Sequence, residues 1–132
     1  MTLSGPCQSS IAIESASKSP QLKPMYGTIA RGKVRKDRVR EFMALGKEWD
    51  THERKRVIGY INSELLWADG SEGRFCLIVH FTNREAYLKN ANSAEQDAFH
   101  QRLRACLDTD FEWTDGIFAQ WDSPYAQPPS LD

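Results

Sequence analysis

Three stretches of the chain are rich in the apolar, β-branched and aromatic residues that favour β-strands, and in the first of them these residues recur on one face. These stretches are residues 26–34, 57–67 and 74–81. Residues 36–55 instead carry apolar side chains at helical spacing, which predicts a helix with a buried stripe of Val39, Phe42, Met43, Gly46, Trp49 and His52. Residues 68–73 are rich in turn formers, so a hairpin should join the second and third strands.

The third predicted strand is apolar on both of its faces. Its residues divide into one face with Phe75, Leu77, Val79 and Phe81 and another with Cys76, Ile78 and His80. Helices can cover one face of the sheet, but so short a chain has little left to cover the other. A second copy of the chain, packed sheet against sheet, is the simplest cover. The pattern therefore predicts a homodimer.

The rest of the chain predicts two more helices and a last strand. Asn83 can cap a short helix, and Ser93 can cap a longer helix over residues 93–107. The acidic residues 108–115 are expected to form a connector, and residues 116–122 a final strand. The order strand, helix, strand, strand, helix, strand is the ferredoxin-like βαββαβ pattern. The predicted fold is α+β, an antiparallel sheet with its helices on one face.

Composition narrows the class of protein. The 132 residues carry 17 Lys and Arg against 18 Asp and Glu, so the formal net charge of −1 lacks the basic excess typical of nucleic-acid binders. No apolar run reaches the ~20 residues of a membrane-spanning helix. Three cysteines are too few for a disulfide-rich secreted scaffold, and no secretory signal is evident. These features predict a soluble, cytoplasmic protein without a membrane or nucleic-acid partner.

The composition also changes along the chain. Residues 1–24 hold six serines, three prolines and no aromatic residue, which predicts a flexible N-terminal leader. The domain is expected over residues 25–122. Residues 123–132, which hold three further prolines, are expected to form a C-terminal tail.

His80 is the strongest catalytic candidate on chemical grounds. If Trp67 lies opposite Phe75 in the hairpin, Asn62 lies opposite His80, with Glu64 nearby on the same face. An imidazole beside a carboxylate can act as a general base near neutral pH. The alternative is a hydrogen-bonded network in the dimer interface. A shift of the register by one residue would separate this cluster.

No motif for a nucleotide or a metal is present in the sequence. It contains neither a dinucleotide-binding GxGxxG nor a P-loop, and its histidines and cysteines lack metal-ligand spacing. We therefore predict no cofactor and no metal site.

Five separated motifs agree in order and spacing with one known family. They are Met25-Tyr-Gly-Thr-Ile-Ala30, Gly59-Tyr60, Phe81-Thr-Asn-Arg-Glu-Ala-Tyr87, Asn90-Ala-Asn-Ser93 and Trp113-Thr-Asp-Gly116. Together they resemble the antibiotic-biosynthesis-monooxygenase (ABM) family of dimeric α/β barrels. The resemblance implies a homodimer whose two sheets close a barrel, with a pocket between sheet and helices in each subunit.

The resemblance also implies a reaction and a set of residues. The expected activity is the cofactor-independent oxidation of a small aromatic or quinol-like substrate by O₂. Tyr87 matches a tyrosine of the polyketide-oxidising members, while their asparagine and tryptophan correspond to Leu77 and Phe81. With His80 and Tyr87 as the candidate catalytic residues, the candidate substrate-binding residues are Phe81, Leu77, Trp67, Asn90 and His100.

Two alternatives stay open. A non-catalytic or stress-related binding protein could keep the dimer and the pocket, because Leu77 lacks the amide and Phe81 lacks the indole N–H of the oxidising relatives. A haem-degrading monooxygenase is the other alternative, since His100 matches the axial histidine of that group. Against it, Asn90 stands at that group's tryptophan position, and residues 26–34 contain no asparagine.

Overall fold

A computed structural model describes residues 24–70 and 72–128 of the chain. Apart from Pro24, the predicted leader lies outside the described residues, as do residues 129–132. One compact unit spans Met25–Phe118. In the separate C-terminal segment, residues 119–128 form turns, in which the Ser123 N–H donates to the Gln120 carbonyl over 2.9 Å.

The compact unit is a four-stranded antiparallel sheet with helices on one side. Its elements in chain order are the strand β1 (Met25–Lys33), the helix α1 (Val39–Glu48), the strands β2 (Tyr60–Trp67) and β3 (Arg74–Phe81), the helices α2 (Arg84–Ala91) and α3 (Ala94–Arg104), and the strand β4 (Glu112–Phe118). The strands lie in the order β2-β3-β1-β4. This topology confirms the predicted ferredoxin-like α+β fold.

The register of the predicted hairpin is confirmed. The opposed pairs of β2 and β3 include Asn62–His80, Glu64–Ile78, Leu66–Cys76 and Trp67–Phe75. Gly59 leads the chain into β2 with a φ of 88°, a left-handed conformation that glycine adopts without steric cost. The alternation of side chains along β3 therefore places His80, Ile78 and Cys76 on the sheet face that α1, α2 and α3 leave open.

The first helical region agrees with the prediction in extent and differs in its buried side. A turn of 3₁₀-helix over Lys36–Arg38 precedes α1, and a π-helical turn over Trp49–Glu53 follows it. Phe42 and Leu45 are the buried residues of α1, whereas the predicted Met43 is 37% exposed. His52 is also exposed. The predicted stripe is confirmed at Phe42 and at the partly buried Val39 and Trp49. It was wrong further along, because Leu45 packs on the core in place of Met43 and Gly46.

Both later helices begin at the predicted caps. The Asn83 side chain accepts a hydrogen bond from the Ala86 N–H, and the Ser93 side chain accepts one from the Gln96 N–H. These bonds satisfy amide groups that have no partner within a helix. The helix α3 ends at Arg104, a turn earlier than expected, and the buried Cys106 and Leu107 follow it.

The last strand does not lie where the sequence predicted it. We expected a connector over residues 108–115 and a strand over 116–122, but β4 spans Glu112–Phe118. It pairs with β1 from Met25–Phe118 to Arg31–Glu112. Because β4 is an edge strand, acidic side chains at Glu112 and Asp115 can stay exposed to water and also discourage pairing with other chains. The acidic composition of residues 108–115 therefore led to the prediction of a connector where the first half of β4 lies.

The hydrophobic core lies between the sheet and the helices. Its buried residues are Ala30, Val34, Phe42, Leu45, Phe75, Leu103, Cys106, Leu107 and Phe111. On the opposite side of the sheet, Ile29, Ile78 and Phe118 are only half-buried, and Leu66 is 55% exposed. One face of the sheet is thus covered within the chain, while the other presents apolar side chains.

Candidate active site

A cavity of about 290 Å³ lies between the sheet and the helices α2 and α3. The strands β1 and β3 supply Thr28, Leu77, Val79 and Phe81 to its wall. The helices supply Tyr87, Asn90, Gln96 and His100, while Phe111 comes from the residue before β4 and Trp113 from β4 itself. The wall is therefore apolar and aromatic, with a few polar groups carried mainly by the helices. Such a composition is typical of a small-molecule site.

Tyr87 forms one polar position in the wall. Its hydroxyl donates a hydrogen bond to Asp115 Oδ1 over 2.9 Å, and its ring packs against Phe81 with centroids 5.5 Å apart. Burial, together with the hydrogen bond to Asp115, raises the pKa of Tyr87 to about 12. The phenol is therefore protonated at neutral pH. It can orient a bound molecule through hydrogen bonds, but it is a poor general base.

His100 forms a second polar position. Its Nε2 atom is shielded from solvent and has no hydrogen-bond partner among the described residues. The imidazole lies against two aromatic rings, with centroid distances of 5.2 Å to Phe111 and 5.6 Å to Trp113. A buried polar atom without a partner costs about 1–3 kcal/mol. A ligand hydroxyl, or a water molecule, would remove that cost by bonding to Nε2.

Side-chain hydrogen bonds connect α3, the helix that carries His100, to the first helical region. Trp49 Nε1 donates a hydrogen bond to Gln96 Oε1 over 3.1 Å. Gln96 lies one helical turn before His100, so both side chains project from the same side of α3 and both line the cavity. The Arg102 guanidinium forms two hydrogen bonds with Glu48, at 2.8 and 3.2 Å, and thereby lowers the pKa of that carboxyl. These contacts restrict the orientation of α3, which contributes Gln96 and His100 to the cavity wall.

The cavity contains five of the seven residues that the sequence analysis named. They are Leu77, Phe81, Tyr87, Asn90 and His100. Trp67 lies outside it and packs against Phe42 and Phe75, with centroids 6.1 and 6.2 Å apart. The presence of a side chain in the wall locates it and does not assign its role, which stays a prediction for all five residues.

His80 lies on the open face of the sheet, away from the cavity. Its Nδ1 atom is 2.9 Å from Asn62 Oδ1, and its ring is 4.3 Å from that of Phe118. Glu64 shares this face at the next outward-facing position of β2, opposite Ile78. The geometry therefore brings the predicted polar group together, but on the surface where we expect a second subunit.

The sequence analysis missed three residues of the site region. Phe111, Trp113 and Asp115 fell in the stretch interpreted as an acidic connector. In the structure, Phe111 and Trp113 pack against each other at 4.8 Å and against His100, and Asp115 accepts the Tyr87 hydroxyl proton. The alternation Phe-x-Trp-x-Asp was the available signal, because a two-residue period indicates a strand even where acidic residues lie within it.

Within residues 24–70 and 72–128, no three His, Cys, Asp or Glu side chains are grouped so as to hold a metal ion. None of the helices in that part of the chain is long and apolar enough to cross a membrane.

Comparison with known proteins assigns the family. The family model described as antibiotic biosynthesis monooxygenase matches residues 25–102, which is more than half of the chain. The chain therefore belongs to the antibiotic biosynthesis monooxygenase (ABM) family, as the five motifs indicated. No curated protein matches the sequence significantly.

Solved structures share the fold at low sequence identity. A conserved protein from Methanosarcina mazei Go1 has a TM-score of 0.64 and 19% identity, over 76% of this chain and 96% of its own. SnoaB, a cofactor-independent oxygenase from Streptomyces nogalater, has a TM-score of 0.59 and 15% identity, over 78% of this chain and 99% of its own. Identities this low establish a common fold, and the reaction has to be argued from the site.

Proposed function

We propose that the protein is a monooxygenase that oxidises a small aromatic or quinol-like substrate with O₂, without a cofactor, in the cavity between the sheet and α2 and α3. The observation that carries the proposal is the wall of this cavity, which combines aromatic side chains with the Tyr87 hydroxyl and the unpartnered His100 Nε2. Membership of the ABM family and the likeness to a cofactor-independent oxygenase support it.

The arrangement of the wall suits a flat molecule with polar groups at its rim. Asp115, which holds the Tyr87 hydroxyl, and Trp113, which packs on His100, are two residues apart on the same face of β4. The two polar positions therefore lie beside neighbouring positions of one strand face, along the same side of the cavity. The volume of about 290 Å³ favours a substrate of few rings.

The proposed reaction needs no electrons from outside. The substrate loses a proton, and the electron-rich carbon of its anion binds one atom of O₂. The O–O bond then breaks, the second oxygen atom leaves as water, and the ring becomes a quinone. For a hydroquinone the balance is one hydroquinone and one O₂ giving one hydroxyquinone and one water. The protein would contribute the base, the orientation of the substrate and the exclusion of bulk water.

The same proposal includes a homodimer. The open face of the sheet carries Ile29, Leu66, Ile78 and Phe118, which are apolar and incompletely buried in the single chain. A second copy placed sheet against sheet would cover them and would give Asn62 and His80 a role in the interface. Family membership supports this arrangement.

A non-catalytic small-molecule-binding protein is the second candidate. Leu77 and Phe81 favour it, because they stand in the wall where the oxidising relatives that the sequence resembles have an amide and an indole N–H. Such a protein would keep the cavity and lose the turnover.

Oxygen uptake by the purified, metal-free protein separates the two candidates. We expect protein-dependent uptake with at least one member of a panel of anthrones and hydroquinones, and slower uptake by a Tyr87→Phe variant that keeps its fold. Calorimetric titration with the same compounds under nitrogen supplies the comparison. Binding without uptake across the panel would reject the monooxygenase and favour the binding protein.

A further inference from the structure

We propose that His100 is the group that takes the hydroxyl proton from the substrate, with its Nε2 atom as the acceptor. The inference deepens the proposed monooxygenase reaction and rests on it. It moves the role of general base from His80, which the sequence favoured, to a histidine on the other side of the sheet.

The first argument is the state of the Nε2 atom. Whichever tautomer the imidazole adopts, this buried nitrogen has no partner in the described structure, although it lies in the wall of a cavity. Buried polar atoms are nearly always hydrogen-bonded, and exceptions cluster where a ligand or a water completes the bond. A hydroxyl of a bound molecule that packs closely against His100 would supply the partner that Nε2 lacks.

The second argument is the surroundings of the imidazole. Phe111 and Trp113 lie within 5.6 Å of its ring centroid and present aromatic surface beside Nε2. An aromatic substrate can pack against these rings while its hydroxyl meets the nitrogen. On α3, Gln96 is held by Trp49, which keeps this side of the helix turned towards the cavity.

The other candidate bases are less well placed than His100 to take a proton from a molecule in the cavity. Tyr87 holds its own proton at neutral pH, and one oxygen of Asp115 already accepts that proton in a hydrogen bond. Asp97 also lines the cavity, but this residue is exposed to solvent. His80 lies on the opposite face of the sheet and bonds to Asn62. His100 is the basic side chain whose acceptor atom is both buried and vacant.

The step itself is a simple proton transfer. The substrate O–H bond breaks, an Nε2–H bond forms, and the electron pair stays on the substrate oxygen. The tautomer required has its proton on Nδ1 before the transfer. The resulting anion delocalises its charge onto the ring carbon that then reacts with O₂, and the imidazolium returns the proton when water is formed.

A binding experiment tests this assignment without any turnover. The probes are 1-naphthol and 1-methoxynaphthalene, which share the ring and the oxygen but differ in the O–H donor. We expect the wild-type protein to bind 1-naphthol roughly tenfold more tightly, the worth of one good hydrogen bond. His100→Leu should abolish the preference, while the matched control His52→Leu, at an exposed position, should retain it.

The outcomes of that titration are distinct. A preference that survives in His100→Leu overturns the proposal, and so does a wild-type protein that binds both probes equally. A Soret shift with added haem that disappears in His100→Leu, with no preference for naphthol, would assign the nitrogen to a metal and also overturns it. Circular dichroism checks that each variant is folded.

Turnover then tests the catalytic part. With a hydroquinone that the wild type oxidises, His100→Leu should lower kcat by ~100-fold or more and change KM far less. His100→Gly should recover part of its kcat when free imidazole is added, whereas His52→Gly should not respond. An undiminished kcat in His100→Leu contradicts the assignment. If the wild type takes up no oxygen at all, the proposed function fails, and the naphthol titration still decides whether Nε2 accepts a hydroxyl.

Discussion

At the scale of single residues, the site depends on where each polar atom finds its partner. The Tyr87 hydroxyl bonds to Asp115 and the Trp49 indole N–H bonds to Gln96, while His100 Nε2 has no partner among the described residues. The sequence could name Tyr87 and His100 through family resemblance. It could not indicate that the Tyr87 hydroxyl has a hydrogen-bond partner and that His100 Nε2 has none. That difference depends on contacts with β4, whose bounds were predicted wrongly.

The raised pKa of Tyr87 predicts a dependence of stability on alkaline pH. Its value of about 12 in the folded protein lies above the ordinary value of 10, so between these limits the folded state holds a proton that the unfolded state loses. Stability contributed by this group is therefore complete below pH 10 and falls as the pH rises towards 12. Urea unfolding between pH 8 and 11 should show a smaller loss in Tyr87→Phe than in the wild type. Equal losses in the two proteins would contradict the assigned cause.

At the scale of elements, β3 and β4 show what a sequence pattern can and cannot give. The strand β3 was predicted with its bounds because its apolar run is continuous from Phe75 to Val79 and turn residues flank it. The observed hairpin register is the one that pairing Trp67 with Phe75 implies, while the sequence left a shift by one residue open. The first half of β4 was missed because acidic side chains on an exposed edge strand are hydrated by water. The composition of such a strand is similar to that of a loop. That single error removed Phe111 and Trp113 from the predicted site.

The cap of α3 supports a prediction about stability. The Ser93 side chain accepts the Gln96 N–H at 3.1 Å, so Ser93→Ala leaves that amide without its partner. We expect the free energy of unfolding to fall by ~1 kcal/mol, measured by urea denaturation. Ser93→Asp supplies another cap acceptor and should stay close to the wild type. A Ser93→Ala protein as stable as Ser93→Asp would show that the cap contributes little.

At the scale of the whole molecule, the two faces of the sheet differ in what they contact. The face that packs on the helices lines the cavity, and the other presents Ile78, Leu66 and Phe118, which are incompletely buried. The sequence predicted this division from β3 alone, since both of its faces are apolar. The apolar pattern did not indicate which face lines a cavity. The family resemblance predicted a pocket between the sheet and the helices, whereas His80, predicted from its chemistry, lies on the outer face.

The proposed dimer makes a direct prediction about mass in solution. The wild type should elute at twice the mass of the chain in size-exclusion chromatography with light scattering. Leu66→Lys introduces a charge on the open face and should shift the population towards the monomer, because an unpaired charge is costly to bury. Ile58→Lys is the matched control, since Ile58 is 82% exposed and precedes β2. A monomeric wild type, or equal shifts in both variants, would contradict the interface.

The central claim is that this chain transfers an atom of oxygen from O₂ to an aromatic substrate with no cofactor. The most direct measurement is mass spectrometry of the product after incubation of the metal-free protein and a hydroquinone under ¹⁸O₂. The account predicts one ¹⁸O atom in each hydroxyquinone, formed at a rate proportional to the protein concentration and strongly reduced in His100→Leu. Product that carries no ¹⁸O, or that forms equally fast without the protein, would contradict it.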